Sequence, residues 1–371
     1  MNRCRVGRAG LTVILLLFTA AAARAAVGMT WTAMPETNPL DFGTLHLSPL
    51  EAWRPADGQW WLSETTTYFN AWSASWHTRT LHRELHREHM PLSSDELRLL
   101  EDRGPTDHIF HFDLEGSRFD VAAARTVASA TVLLRFSAIE IGQPSWDAIG
   151  ESAHSALNAD KFRSLFPRGQ TLLYMRTPRS RVELRDEING LHLGNPSVSV
   201  GWPVAVGSKS EQRLVLSVQV PIARGRSNTL ESTGGWDAGV RWFAEGRWHA
   251  TDLLAGAGYT HVDRQTTFFG FRRSDVWHAV GQANHPIGRH VAVSLGARFD
   301  TSVVAHDIAG EPGRPDMNLH AGVIALMGKN TSISFDLGEN VPSVGLGADW
   351  SFHLQVTAAL PLRGRSIAAG E

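Results

Sequence analysis

This sequence predicts an all-β fold, an antiparallel transmembrane β-barrel of about 12 strands (range about 10–14), with short helical insertions in its long loops. Three observations predict it. Stretches of nine to twelve residues alternate strictly between apolar and polar side chains; short and long connections alternate between them; and the chain opens with an export signal but has no later apolar run long enough to span a bilayer as a helix.

The first element is the leader, residues 1–25. Arg3, Arg5 and Arg8 make a basic start, Leu11 to Ala23 are apolar, and Ala23-Arg24-Ala25 is an A-x-A cleavage site. The only cysteine, Cys4, lies within it, so the mature chain can hold neither a disulfide nor a thiolate metal site. Removing the leader lowers Lys+Arg from 35 to 31 against 37 acids, a net charge of −6. That balance excludes a nucleic-acid role. At 371 residues and 43% hydrophobic content, the chain can bury a substantial core.

Residues 26–56 are expected as a periplasmic segment leading into the barrel, which then occupies 57–361 and leaves 362–371 as a tail. Three strands are expected at 57–70, 107–125 (bulged near Gly116) and 130–141. From Asn195 onward the alternation is sharper. In "GWDAGVRWFAE", Trp236, Ala238, Val240, Trp242 and Ala244 share one face, while Asp237, Gly239, Arg241 and Glu245 share the other. "RHVAVSLGARFD" and "GADWSFHLQVTA" behave alike, placing Arg298, Asp300 and Asp349 on polar faces. Nine strands fit within 196–360. Tight links at 207–211, 245–247, 286–289 and 327–330 alternate with longer ones at 222–234, 261–275, 302–316 and 338–345, the signature of short turns on one side and long loops on the other. The apolar faces are expected to meet lipid, and Trp202, Trp242, Trp248, Trp277 and Trp350 to form interfacial girdles. Asp237, Arg241, Glu245, Arg298, Asp300 and Asp349 are the lumen-lining candidates. Their mixed signs either pair across a filled interior or set the field in a pore. Short apolar runs at 170–176 and 180–186 form an extracellular hairpin or raise the count to fourteen.

Two insertions interrupt the barrel. Residues 71–106 contain "LHRELHREHM", where His82, His86 and His89 share one face of a helix and could hold Zn or Ni. If the segment is extended, His82, Glu84, His86 and Glu88 share a face instead. The balance favours a charged surface segment. "PLSSDELRLLED" follows as a short helix capped at Ser93 or Ser94. Residues 142–169 contain a second helix, with Asp147, Glu151, His154 and Asn158 on one polar face. Its E-x-x-H pair is the unit that carboxylate-bridged metal sites use, but no further carboxylates join it, and a wet helix face is the plainer reading. Ser152, His154 and Ser155 raise a hydrolase, although no G-x-S-x-G elbow is present.

The stretches "NPLDFGTLHLSPLEAWRPADGQWWL", "SWDAIGESAHSALNADKFRSLFPRGQTLLYMR", "NPSVSVGWP" and "LESTGGWDAGVRW" resemble an uncharacterised family of exported bacterial outer-membrane-barrel-like proteins, a domain of unknown function. The resemblance implies a barrel and an outer-membrane address; it carries no reaction, ligand or site residue. Where many such barrels end on an aromatic residue, this chain runs on into "RGRSIAAGE". The expected role is a passive channel or transport-related, porin-like barrel for a small solute. A structural or binding barrel with a filled lumen and a membrane-embedded hydrolase are the alternatives. Outer-membrane lipid and small solutes are the expected partners, no cofactor is implied, and the oligomeric state stays open.

Overall fold

The computed structural model describes residues 31–35, 42, 44–56, 59–85, 92–142, 171–207, 210–221, 234–263, 267–268, 271–304, 311–327, 330–341 and 350–360. The leader, the 142–169 helix with Asp147, Glu151 and His154, and His86, His89 and Asp349 lie outside the described residues.

Twelve long strands close into one antiparallel barrel. They are β1 (Trp60–Ala74), β2 (Ile109–Val127), β3 (Ala130–Ile141), β4 (Ser197–Val206), β5 (Ser210–Gln219), β6 (Asp237–Trp248), β7 (Thr251–Val262), β8 (Val276–Pro286), β9 (Val291–Asp300), β10 (Asp316–Leu326), β11 (Thr331–Asn340) and β12 (Trp350–Leu360). Each pairs with its neighbour in sequence, and β1 closes on β12 from Trp60↔Leu360 to Asn70↔Trp350. Five short turns and both ends of the barrel sequence gather at one rim, the turn end; six long connections gather at the other, the loop end. The β2–β3 turn is two residues, Ala128 and Ser129, both at positive φ (49° and 72°), as a tight hairpin matching the sheet twist requires.

Alternation along each strand sorts the side chains. On β5, Arg213, Val215, Ser217 and Gln219 point inward and are buried, while Leu214, Leu216 and Val218 point outward and are exposed. The outer belt continues through Val240, Leu295, Val323, Phe335 and Leu354. Exposed Trp60, Trp202 and Trp248 ring the turn end, and Trp236 and Trp277 the loop end, where Trp350 packs against Tyr68 and Phe352. Polar inside and apolar outside is the inverse of a soluble barrel and suits hydrocarbon.

The sheet overshoots the barrel at the loop end. Ile109–Asp113 of β2 pairs with Leu172–Arg176, which forms a hairpin with Arg181–Leu184, so the runs near 170–186 extend the sheet outside the barrel and the strand count stays at twelve. No bulge occurs at Gly116. The register from β1 is continuous there, and the glycine lets Glu140 O approach to 2.2 Å from where a Cβ would stand. Two helices cover the overshoot: α1 (Trp76–Glu84), capped by Ser75, and α2 (Ser94–Arg103), capped by Ser93 in a reciprocal box with Glu96. Leu81, Leu97 and Leu100 pack on Ile109, Leu172 and Tyr174. Among the described residues no helix is long and apolar enough to cross a membrane.

If the outer belt meets hydrocarbon, Leu216→Arg should cost about 2–4 kcal/mol near mid-belt. The expected result is a lower urea midpoint for the barrel refolded in lipid vesicles; an unchanged midpoint would remove Leu216 from the lipid face.

Candidate functional site

The lumen is occupied by the chain's own N-terminal segment. Residues 31–35 and 44–53, expected at the periplasmic approach, lie inside the barrel as two adjacent legs, where Ser48 Oγ donates to Ala33 O at 3.4 Å. Pro49–Ala52 forms one 3-10 turn, started by a capping box in which Ser48 and Glu51 bond each other's backbone. That S-P-L-E pattern is the sequence signal that could have marked this segment as ordered.

Trp31, Met34, Leu47, Leu50 and Trp53 pack with Leu133, Val215, Phe243 and Leu254 of the wall in one apolar cluster, and polar barrel side chains bond the segment's backbone. Arg213 Nη1 donates to Ala52 O (2.8 Å) and Trp53 O (2.5 Å). Arg298 Nη1 donates to Met34 O (2.7 Å), Thr260 Oγ1 to Leu45 O (2.8 Å), and Gln355 Oε1 accepts from Ala33 N (2.8 Å). Asp237 accepts from Leu45 N at 3.1 Å. One plug side chain is gripped as strongly: Glu51 Oε1 accepts from Ser199 Oγ (2.8 Å) and Ser217 Oγ (2.9 Å), and Arg241 Nε stands 3.1 Å from Oε2. Arg241 is fully buried, and Gly239 and Gly258 make its space; a Cβ on Gly239 would lie 1.6 Å from Nη1.

Four of the six lumen candidates, Asp237, Arg241, Arg298 and Asp300, are buried on the inner face, with Glu245 half-buried beside them. A filled interior in which Asp237 pairs with Arg241 or Arg298 is not what forms; each takes another partner. Asp237 takes both guanidinium nitrogens of Arg273 (3.0 and 2.8 Å), a loop residue; Arg298 Nε bonds Asp300 (2.5 Å); Arg241 turns to the plug. Arg213, Arg273, Ser199, Ser217 and His278 carry the site without having been singled out in the sequence, because the alternation gives the face of a residue but not its cross-barrel partner.

His46, His278 and Asp300 bring three potential ligand atoms within 4.8 Å of one another. His278 Nδ1 hydrogen-bonds Asp300, its Nε2 meets Thr260 Oγ1 at 2.9 Å, and Arg298 occupies the other Asp300 oxygen. His46 Nδ1 stands 3.6 Å from the Asp300 oxygen that His278 bonds, and its ring meets the His278 ring edge-on, so the cluster is a latch between plug and wall. Ser351 Oγ and His353 Nε2 are 2.9 Å apart, the pair a hydrolase would need. Both are buried in the lumen, and His353 Nδ1 bonds Thr67, so among the described residues the pair has no acid partner.

His82 sits near the end of α1, buried, its ring 5.3 Å from that of His111. It is therefore part of the loop-end cap instead of a solvated segment. Beneath that cap, Phe69, Phe112, Leu114, Ile139, Val262, Phe271 and Val304 close the loop end with an apolar layer.

No protein-family model and no curated relative matches the chain. Among solved structures, an outer membrane channel from Pseudomonas putida F1 is similar with a TM-score of 0.50 and 8% identity, over 83% of this chain and 97% of that one. The KdgM porin matches at 0.37 and 7%, over 68% and 98%. The translocator domain of the autotransporter NalP from Neisseria meningitidis matches at 0.39 and 8%, over 81% and 88%. Such likeness shows the fold alone, an outer-membrane-type β-barrel.

The cap carries its own charge network. Tyr174 Oη and Arg181 Nε both donate to Glu101 Oε1 (2.8 and 2.7 Å), and Ser94 Oγ and Arg185 Nε to Glu183 Oε1 (2.8 and 3.1 Å). Partial burial pushes the Glu183 carboxyl up, but the Ser94 and Arg185 hydrogen bonds and the Arg185 and Arg181 charges outweigh it and hold its pKa below the ordinary glutamate value. A folded value below the unfolded one stabilises above the ordinary range and is lost as pH falls through the depressed value. Protection against hydrogen exchange in 172–184, relative to the intrinsic rate at each pH, is therefore expected to fall on acidification, and less so in Glu183→Gln; equal acid response in both would dismiss Glu183 as the cause.

Proposed function

We propose that this protein is a gated transport barrel of the bacterial outer membrane, closed at rest by residues 31–35 and 44–53, with the turn end periplasmic and the long loops outside. The observation that carries this reading is how the plug is held. Besides its apolar contacts, it is bonded to the wall through carbonyls, amides, the Thr32 and Thr44 hydroxyls and the Glu51 carboxylate, groups that water can take over when it leaves. Porins and channels share the fold, and the solute reading here is of transport of a small polar molecule down its gradient. A filled structural barrel is the second reading, favoured by the apolar layer across the loop end.

Planar-bilayer recording separates them. The wild-type chain should conduct in brief, rare openings. Arg213→Gln, which removes bonds to Ala52 O and Trp53 O, should raise open probability about tenfold to a hundredfold, the equivalent of losing one charge-assisted contact. Steady full conductance in the wild type, or silence in both, would overturn the gated reading.

A further inference from the structure

Resting on that reading, we infer that Ser199, Ser217 and Arg241 form a carboxylate-binding subsite in the lumen wall, which Glu51 fills at rest and a small carboxylate-bearing solute fills when the plug is displaced. The site is built and deeply buried: two hydroxyls from β4 and β5 converge on one oxygen, and a guanidinium from β6 faces the other. Glu51 meets this receptor imperfectly. Its Oε2 also accepts from Ser48 N (3.3 Å) within the capping box, and the box fixes the angle at which the carboxylate is offered.

Arg241 is left with unused capacity. Its Nη2 donates to Thr260 Oγ1 (3.1 Å) and Leu45 O (3.4 Å), but among the described residues Nε, although 3.1 Å from Glu51, is out of line for a hydrogen bond, and Nη1 has no partner. A guanidinium binds carboxylate best through two parallel N–H groups. A solute free of the capping box can take that alignment while keeping both serine hydroxyls. Beside the site, a gap of about 10 Å³, room for one water, is lined by Arg118, Arg135 and Arg298 against the single carboxylate Asp120. Arg118 is paired with Asp120 and Arg298 with Asp300, so Arg135 carries the excess positive charge that favours an anion there. Glu51 thus acts as a tethered stand-in for the solute, and solute binding and plug seating exclude each other.

The test uses the full-length chain with Glu51→Ala and acetate as probe. Acetate at tenfold its dissociation constant should raise the Tm of this variant by about 3 °C, whereas acetamide and chloride at the same concentration should not. Adding Arg241→Gln should abolish the rise. Equal shifts with acetate and chloride, or none with acetate, overturn the subsite. Should Glu51→Ala fail to fold, the wild type serves: replacing chloride by acetate at constant ionic strength should raise open probability about twofold or more through competition with Glu51. No change there overturns the subsite equally. An acetate-specific Tm shift in a barrel that never conducts would instead keep the subsite and remove the gate, while conductance in Arg213→Gln without any acetate effect would keep the gate and remove the subsite.

Discussion

Closure of β1 on β12 is the constraint from which the rest of the structure follows. Backbone N–H and C=O groups cannot be left unpaired in hydrocarbon, so every strand needs two neighbours and the sheet can have no edge. The eleven residue pairs from Trp60↔Leu360 to Asn70↔Trp350 meet that demand between the two ends of the barrel sequence. Closure then divides each strand into an inner and an outer face, and the outer one must be apolar. Polar and charged side chains are thereby concentrated inside. A wall of about eight strands can fill its own interior with side chains, whereas twelve strands leave room for more. Here the N-terminal segment takes that room, and it supplies the partners that the inward-facing arginines need.

The fold could be read from the sequence because closure writes a period of two into every strand. "RLVLSVQV" and "GWDAGVRWFAE" show their faces without any knowledge of what lies opposite, and the strict alternation of short and long links gives the two rims. Boundaries were less legible. β6 runs on to Trp248, because Glu245–Arg247 still pair with β7 and the turn falls at His249, whose φ is 53°. β1 continues to Ala74 because the overshooting β2 gives it a partner beyond the barrel rim.

The site was much less legible. Asp237, Arg241, Arg298 and Asp300 have the right face on alternation alone. Their partners lie at sequence distances that no local pattern encodes: Arg241 to Glu51, Arg298 to Met34, Asp237 to Arg273. The three-histidine stretch is suggestive because its spacing is local, but of its histidines only His82 lies among the described residues. His82 is drawn into the cap by Leu81 beside it, whose burial on Ile109 and Leu172 fixes how α1 faces the sheet. Gly239 and Gly258 look like ordinary small strand residues, yet they are the space in which the Arg241 side chain lies.

Two kinds of closure coexist in this lumen, and they differ in what opening them costs. The loop-end layer around Phe69, Phe112, Phe271 and Val304 is apolar and fully buried, so separating it exposes hydrocarbon surface to water with nothing in return. The plug is mixed: Leu47, Leu50 and Trp53 share an apolar cluster with Val215, Phe243 and Leu254, and its other links to the wall are polar. Breaking a buried ion pair by deleting one partner is expensive because the other charge remains dry and alone. Moving the whole segment out admits water to Arg213, Arg241 and Arg298 at the same moment, and their lost bonds are replaced by hydration. Substituting Glu51 and displacing the plug are therefore unlike perturbations, although they break the same contact with Arg241. On the gated reading, the polar part of this chain-borne seal would give it two states, seated and hydrated, while the apolar cluster around Leu50, Trp53 and Phe243 would favour the seated one. That bistability is the property a gate requires.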